Sequence, residues 1–315
     1  MELLNDPLMR VCFLGTGGSW PTKRRNPISI ALSSGSTNVL LDCGEGTQKQ
    51  MLFSPVSPNK LDAIFITHLH GDHFLGVPGL IQTMSLNDRT EKLLVFGPEG
   101  IESSMEKALT MCHFQSRFEI RVRVMNPGDT VKVGELNFKA GRARHNVPSL
   151  AYRIFLDDRP GRFNRDRALE LGIPEGRLWG RLQKGETVEV DFGGETREFT
   201  PEMVLGPPRK GVSIGYSGDT APSKDVEELV KNVDLLIHEA TFTSDLSENA
   251  RKYGHSTAAE AALLAGSAKV SRLYIVHPSP RYAREGSEAP LLEEARNIFP
   301  ETYLPEDLEC IEVTR

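Results

Sequence analysis

The stretch LDAIFITHLHGDHF, at positions 61–74, decides the fold class. Its first seven residues form an apolar run typical of a buried strand, and three histidines and one aspartate follow within six positions. Residues two apart in an extended segment point the same way, so His68 and His70 can converge on one ion. Asp72 and His73 follow a glycine turn and can face a second ion. Imidazoles and carboxylates suit Zn²⁺, so the stretch predicts a metal site rather than a histidine-rich solvated turn.

Single donors elsewhere in the chain extend this pattern. Each lies at or soon after the end of a predicted strand, and they are His145, Asp219, His238, Glu239, His255 and His277. Taken one at a time, such residues are more often structural histidines or capping aspartates. Taken together, they fall where open α/β sheets place their sites. We therefore predict that they gather around the 68–73 cluster.

Apolar runs broken by glycine turns continue along the rest of the chain. Predicted strands occupy residues 11–14, 29–32, 39–42, 61–67, 93–96, 121–124, 131–133, 136–140, 150–155, 212–215, 235–238 and 273–276. Predicted helices occupy residues 74–84, 101–111, 226–230, 256–265 and 290–298. The economical arrangement is an α/β fold with two sheets between helices, an αββα sandwich in a single domain over residues 1–315.

One segment departs from this pattern. Residues 159–199 are rich in Gly, Arg and Glu and contain one short helix-like piece, at 165–171. A stretch this long inside a compact domain is usually a functional insertion or a disordered segment. We predict a flexible inserted arm at residues 157–199. Its first part, 159–184, carries seven basic and three acidic residues, and charge alone would favour a solvated charged loop there.

The composition sets limits on function. The 315 residues carry a net charge of −6, which excludes a generally basic surface for nucleic acid or anionic membranes. No run approaches the roughly 18 apolar residues of a membrane span. Four widely spaced cysteines fit a reduced, cytoplasmic protein. If RNA is bound, the positive charge must be concentrated locally, on the arm and on the loop that contains Lys23 and Arg25.

Five short motifs carry a resemblance to a known family. They are PTKRRN at 21–26, HLHGDH at 68–73, HEAT at 238–241, GHST at 254–257 and HPSPRY at 277–282. With these motifs the chain resembles the metallo-β-lactamase superfamily and, within it, the short form of the ribonuclease Z family, over nearly its whole length. One departure is Gly176-Arg177, where that family often has Gly-Pro.

The resemblance implies a zinc-dependent endoribonuclease that removes the 3′ trailer from precursor tRNA. It leaves a 3′-OH on the tRNA and a 5′-phosphate on the trailer. The resemblance also implies two zinc ions per subunit, one held by His68, His70 and His145, the other by Asp72, His73 and His277, with Asp219 bridging. His113 has no counterpart in the family pattern and is expected to be structural.

The reaction also requires groups that move protons and hold RNA. Asp72 is our candidate proton acceptor and His255 our candidate donor, with Glu239 holding the His255 ring in one tautomer. In the family the arm grips tRNA and works on the partner subunit's active site, which implies a homodimer. Candidate RNA contacts are Lys23, Arg25, Asn26, Arg162, Arg165, Arg177, Arg181 and Lys184. Trp179 and Phe163 could stack on bases or anchor the arm.

Two alternatives remain open from the sequence. The first is another dinuclear hydrolase of the same fold that acts on small phosphodiesters and needs no basic arm. The second is a redox or non-catalytic binding protein on this scaffold. Di-iron relatives tend to have Glu at the position of His70, so the intact ligand set disfavours the second alternative.

Overall fold

The computed structural model describes residues 9–111 and 113–314. Residues 1–8, Cys112 and Arg315 lie outside the described residues. Within the described ranges, no helix is long and apolar enough to span a bilayer.

The first sheet has seven strands in the order β16-β1-β2-β3-β4-β5-β6. These are β1 (Met9–Gly15), β2 (Ser29–Ser34), β3 (Thr37–Leu41), β4 (Ala63–Phe65), β5 (Leu93–Gly97), β6 (Ile120–Val124) and β16 (Cys310–Val313). β3 to β6 run parallel to one another, whereas β16, β1, β2 and β3 pair antiparallel.

The second sheet also has seven strands, in the order β15-β14-β13-β12-β9-β8-β7. These are β7 (Thr130–Val133), β8 (Leu136–Arg142), β9 (Leu150–Leu156), β12 (Ser213–Tyr216), β13 (Leu235–Glu239), β14 (Leu273–Val276) and β15 (Thr302–Tyr303). The strands β12 to β15 are parallel, and β12 pairs antiparallel with β9.

Aromatic side chains from the two sheets meet between them. Phe65 of β4 stacks on Phe138 of β8 with ring centroids 3.8 Å apart, and it meets Tyr152 of β9 edge-on at 5.5 Å. All three side chains are buried, and such pairs contribute beyond the area they bury. The sheets therefore pack face to face.

Helices cover the outer face of each sheet. They are α1 (Thr47–Met51), α2 (Gly71–Phe74), α3 (Gly76–Leu86), α4 (Ile101–Thr110), α7 (Lys224–Leu229), α8 (Ser247–Tyr253), α9 (Ala258–Ser267) and α10 (Ala289–Ile298). Leu80 and Ile101 pack on Ile64 of the first sheet, and Ala261 and Leu291 belong to the apolar cluster of the second. This is the predicted αββα sandwich, which the structure confirms.

Parallel strands place their carboxyl ends at one edge of a sheet. In the first sheet, Asp42 directly follows β3, and the 68–73 cluster follows β4. In the second sheet, Asp219 follows β12, Glu239 ends β13 and His277 follows β14. The topology thus collects most of the candidate donors at strand ends.

Several predicted strand and helix boundaries differ from the observed ones. The run 61–67 was expected to be one strand, yet β4 covers only Ala63–Phe65, because its last residues already turn toward the cluster. The predicted helix 74–84 corresponds to α3, and its first residue, Phe74, ends the separate short helix α2. The short edge strands β15 and β16 were missed, since their pairing partners lie far away in the sequence.

Residues Leu156–Gly211 form a second compact unit, called the inserted unit below. It contains α5 (Arg165–Glu170), α6 (Arg177–Gln183) and a hairpin of β10 (Val188–Asp191) and β11 (Thr196–Phe199). These elements enclose a small apolar cluster of Ala168, Ile173, Leu182, Val188, Val190, Phe199 and Val204. The sequence predicted only one helical piece here, because a cluster this small has no long periodic run.

The aromatic residues of the inserted unit pack against this cluster. Phe163 and Trp179 lie with ring centroids 5.2 Å apart, and the Trp179 indole N–H donates to the carbonyl of Ile173 at 3.1 Å. Of the two roles left open by the sequence, these contacts fit anchoring. Arg177 is the first residue of α6, a position that also accepts proline, so the Gly-Arg departure is compatible with the same helix start.

The expectation that all cysteines are reduced is wrong for one pair. Cys12 and Cys310 are opposite one another in the antiparallel pair of β1 and β16, and they form a disulfide with Cα atoms 4.1 Å apart. The two residues are 298 positions apart in the chain, so spacing could not reveal the pairing. Cys43 is a buried free thiol.

Candidate metal centre

Three histidines and Asp219 converge at the end of β4. His68 is fully buried there, His70 precedes α2, and His145 follows β8. The Nε2 of His145 lies 3.3 Å from the Nδ1 of His70. One donor atom from each of the four residues lies within 4.8 Å of all the others, so this group could hold a metal ion.

A second group lies beside the first. Asp72 and His73 come from α2 and His277 from the end of β14. The Nε2 of His277 is 3.2 Å from the Oδ2 of Asp72 and 3.3 Å from the Nε2 of His73. These three donors also lie within 4.8 Å of one another.

Asp219 connects the two groups. Its Oδ2 lies 3.6 Å from the Nε2 of His68, and its Oδ1 lies 3.4 Å from the Nε2 atoms of both His73 and His277. One carboxylate oxygen therefore faces each group, which is the arrangement of a bridging ligand.

The hydrogen bonds at the far side of each ring fix which nitrogen faces the centre. The Nδ1 of His145 donates to the carbonyl of Gly254 at 2.8 Å, and that of His73 donates to Asp42 at 2.7 Å. The Nδ1 of His277 lies 3.1 Å from the hydroxyl of Thr241. Since these bonds occupy Nδ1, each ring turns Nε2 toward the centre, the atom with which a neutral imidazole would bind metal.

The donor set fits a metal ion on electrostatic grounds. The Nε2 of His68 and the Oδ1 of Asp219 are buried and have no hydrogen-bond partner among the described residues. Leaving such atoms unpaired costs about 1–3 kcal/mol each. A metal ion between these atoms would supply the missing partner for both, so the residues present fit a bound metal.

Asp42 is a functional residue that the sequence analysis missed. Its carboxylate accepts hydrogen bonds from His73, the Thr67 backbone at 2.7 Å and the Tyr216 hydroxyl at 2.7 Å. Tyr216 ends β12 of the second sheet, so the contact joins the two sheets beneath the centre. The only signal in the sequence was an aspartate at the end of an apolar run, which was included in the predicted strand 39–42.

Glu239 has the corresponding role in the second sheet. This buried carboxylate accepts hydrogen bonds from the backbone N–H groups of Thr220, Thr241 and Ser256, and from the Nδ1 of His255 at 2.9 Å. It ties together the segments that follow β12 and β13 and the loop that carries His255. Its contacts place it behind His255 as a positioning residue.

The charges around His255 favour its protonated form. Burial lowers the pKa of His255, but the Glu239 carboxylate raises it by more, to about 9. Burial raises the pKa of Asp219, whereas His277 and His73 lower it by more, so this carboxylate is ionised. The same holds for Asp72, whose pKa is lowered mainly by its hydrogen bond with His277.

The loop at residues 16–26 closes over His277. The Thr16 carbonyl accepts the His277 backbone N–H at 2.8 Å, and the Ser19 N–H donates to the Oδ2 of Asp72 at 2.6 Å. A Cβ atom at Gly18 would lie 2.5 Å from the His277 ring. Only glycine allows this close approach, so the loop is built against the metal centre.

Asp307 anchors that loop from the C-terminal segment. Its Oδ1 accepts hydrogen bonds from the backbone and hydroxyl of Thr16, at 3.0 and 2.7 Å. Its Oδ2 accepts from the backbone and side chain of Asn26, at 2.7 and 3.0 Å, and from Gln50 at 3.2 Å. Nothing in the sequence pointed to Asp307, because its partners lie more than 250 positions away.

Arg25 and Asn26 are engaged in the same anchor. Arg25 is 8% exposed, and its guanidinium donates to the Thr16 hydroxyl and to the Pro305 carbonyl. Polar groups of Arg25 and Asn26 therefore have protein partners in this structure, and their contact with RNA phosphates stays a prediction. Lys23 is exposed on the same loop.

The remaining candidates divide into buried and exposed residues. His238 is buried on β13 and its Nδ1 donates to the Glu239 carbonyl, so it lies behind the centre. His113 is exposed and is absent from the donor groups. In the inserted unit, Arg165 pairs with Glu175 and Arg181 with Glu186, and Arg162, Arg177 and Lys184 are exposed.

Comparison with known proteins identifies the family. The chain is 42% identical to the ribonuclease Z of Methanosarcina acetivorans over 97% of its own length and 98% of that protein. It is 44% identical to the ribonuclease Z of Methanothermobacter thermautotrophicus, with 97% of each chain covered. The chain belongs to the ribonuclease Z family. A model of the beta-lactamase superfamily domain also matches residues 37–166 and 183–278.

The solved structure of human tRNase Z, short form, has the same fold. It superposes with a TM-score of 0.68 at 24% identity, covering 97% of this chain and 100% of the human one. The superfamily model leaves out residues 167–182, which lie in the inserted unit. Membership of the family confirms the resemblance drawn from the five motifs.

The Asp307 anchor generates a prediction. Asp307→Ala removes the acceptor of donors on Thr16 and Asn26, at about 1–3 kcal/mol for each donor left unpaired, while Gln50 keeps its bond to the Leu14 carbonyl. We expect a lower melting temperature and an RNA cleavage rate reduced at least about tenfold, because the loop against His277 loosens. Thermal unfolding and single-turnover cleavage measure the two effects.

A neighbouring carboxylate supplies the control for that experiment. Glu306→Ala removes an exposed ion pair with Arg24 at 3.6 Å, and such a pair contributes little to stability. If Asp307→Ala resembles Glu306→Ala in both measurements, Asp307 does not hold the loop.

Proposed function

We propose that this protein is a metal-dependent endoribonuclease that removes the 3′ trailer from precursor tRNA. Hydrolysis of the phosphodiester leaves a 3′-OH on the tRNA and a 5′-phosphate on the trailer. The observation that carries the proposal is the pair of donor groups joined through Asp219, with a proton-donating His255 beside them. Full-length similarity to ribonuclease Z proteins supports tRNA as the substrate.

The proposed cofactor is two zinc ions per subunit. His68, His70 and His145 would hold one, Asp72, His73 and His277 the other, and Asp219 would contact both. Nitrogen and carboxylate donors of this kind suit Zn²⁺, with Mn²⁺ as the less suited alternative. A metal pair supplies an activated nucleophile and stabilises charge on the attacking and leaving oxygens of an in-line displacement.

The side chains of this chain handle the protons and the orientation. Asp72 is ionised and partly accessible, so its carboxylate can accept a proton from the attacking water. The Nδ1 of His255 is held by Glu239 at 2.9 Å, which leaves Nε2 to donate a proton to the departing O3′. Its raised pKa keeps that proton in place at neutral pH.

The inserted unit is proposed to bind tRNA and to act on the active site of the partner subunit in a homodimer. Its basic stretch 159–184 supports this role, and Arg162, Arg177 and Lys184 have exposed side chains there. The unit as a whole carries ten basic and eleven acidic residues. Binding would therefore depend on where the cations lie and not on net charge. A cytoplasmic location is part of the proposal, and the tRNA substrate supports it.

Mapping of the reaction products tests the proposed function. An end-labelled precursor tRNA incubated with the protein and Zn²⁺ should be cut once, at the start of the trailer. The tRNA should then carry a free 3′-OH and the trailer a 5′-phosphate. A 2′,3′-cyclic phosphate on the tRNA, or no cleavage with metal present, would contradict the proposal.

Removal of the His255 imidazole provides a second prediction. His255→Ala should lower the cleavage rate by about 10²–10⁴-fold, because the leaving oxygen loses its proton donor. Zinc content, measured by plasma emission, should stay at the wild-type value. The exposed His113→Ala serves as the matched control. Loss of zinc in the His255 variant would show instead that this residue is a ligand.

Deletion of the inserted unit separates RNA binding from chemistry. Gly211 approaches the Leu156 carbonyl so closely that a Cβ atom would overlap it, so Leu156 can be joined to Gly211 by a short glycine link. Removing the whole unit avoids cutting through its apolar cluster. We expect precursor tRNA cleavage to collapse and a chromogenic phosphodiester to be hydrolysed still. Equal loss of both activities would refute the proposed role.

A further inference from the structure

A cleft of about 440 Å³ opens beside His145 and takes no part in the chemistry described above. Its walls come from the segment after β8, the segment after Asp219 and the end of α8. Besides His145, the lining residues with polar or charged side chains are Arg144, Asn146, Arg251 and Glu260. Because His145 lines the same cleft, the cleft borders one of the two donor groups.

The backbone around the cleft is held firmly. Arg144 forms an antiparallel bridge with Ala221, and its N–H donates to the Thr220 hydroxyl at 3.0 Å. On the opposite wall, the side-chain amide of Asn146 donates to the Tyr253 carbonyl at 2.9 Å. These bonds hold the backbone at Arg144 and join the segment after β8 to the end of the helix that carries Arg251.

The cleft carries positive charge that the protein does not neutralise. Among residues 9–111 and 113–314, no hydrogen bond or ion pair engages the guanidinium of Arg144 or of Arg251, and both residues are exposed. The one lining carboxylate, Glu260, is occupied by the capping box of α9, where it accepts from the backbone and hydroxyl of Thr257. The chain as a whole has a net charge of −6, so two unpaired guanidinium groups at one cleft form a local positive site that suits an anionic ligand.

An exposed aromatic ring lies two residues after Arg251 on the same helix. Tyr253 ends α8 and is 47% exposed, and the ammonium of Lys252 lies 5.3 Å from its ring. Exposed aromatic rings beside cations are the elements with which proteins hold single-stranded nucleic acid, through stacking and phosphate contacts.

We propose that the Arg144–Arg251 cleft binds the sugar–phosphate backbone of the substrate RNA next to the bond that is cut, with Tyr253 as a stacking surface. This inference rests on the proposed nuclease function. Arg144 and Arg251 contact phosphates on either side of the strand, and His145 both lines this cleft and belongs to the first donor group. The strand would thus lead directly from the cleft onto the metal centre.

A structural role for one of the cations is the competing explanation. Arg251 and Lys252 lie in the last turn of α8, where positive charge stabilises the helix end. Arg144 lies on no helix and has no such function. A purely structural Arg251 would affect thermal stability and not RNA binding, and this difference can be measured.

The test compares Arg144→Ala, Arg251→Ala and the double variant with Lys60→Ala. Lys60 precedes β4, at the end of the strand opposite the metal centre, and is exposed. We expect each arginine variant to raise KM for precursor tRNA by about tenfold with a smaller change in kcat. The double variant should flatten the dependence of log KM on log salt by about two units. Lys60→Ala should match the wild type.

Two further measurements make the outcome decisive. Fluorescence anisotropy with a short labelled single-stranded RNA reports binding without catalysis, so the cleft is tested even if the wild type fails to cut precursor tRNA. Substrates with a single-nucleotide trailer and with a long trailer identify the bound strand. A KM penalty at both lengths assigns the cleft to the tRNA side, and a penalty only at the long trailer assigns it to the trailer side. Unchanged KM, salt slope and anisotropy, or a change in melting temperature alone, would overturn the proposal.

Discussion

The burial of Asp219 among histidine rings is the constraint on which the site depends. Its two oxygens face Nε2 atoms at 3.4–3.6 Å, and one of them has no hydrogen-bond partner within the described part of the chain. A buried carboxylate among lone pairs is unfavourable unless cations join them. Without a metal ion, the donor side chains would be more stable farther apart. Contacts with the surrounding residues must therefore hold them together.

Two further carboxylates supply that restraint from beneath the site. Asp42 binds His73 and the Tyr216 hydroxyl, which belongs to the other sheet. Glu239 binds three backbone N–H groups and the His255 ring. Each of these side chains is buried and fully engaged with donors, so each fixes several strand ends at once. The orientation of the histidines is thus a property of both sheets together.

Positively charged side chains in this protein differ in whether a nearby carboxylate neutralises them. The chain is acidic overall, and the inserted unit, despite its basic first part, is close to neutral because its hairpin is acidic. Several of its arginines pair with nearby carboxylates. By contrast, Arg144 and Arg251 keep their charge unpaired beside the metal centre. Net charge by segment is consequently a poor guide to where an anion would bind.

The sandwich fold and the donor residues that the structure brings together could be predicted from local patterns in the sequence. Strand periodicity and the 68–73 cluster are local patterns, readable over a few residues. Tertiary structure alone decided the roles of Asp42 and Asp307, the burial of Arg25, the Cys12–Cys310 pairing and the small core of the inserted unit. Each of these depends on residues that are distant in the chain, and only the packing of the folded strands and loops brings their atoms within contact distance.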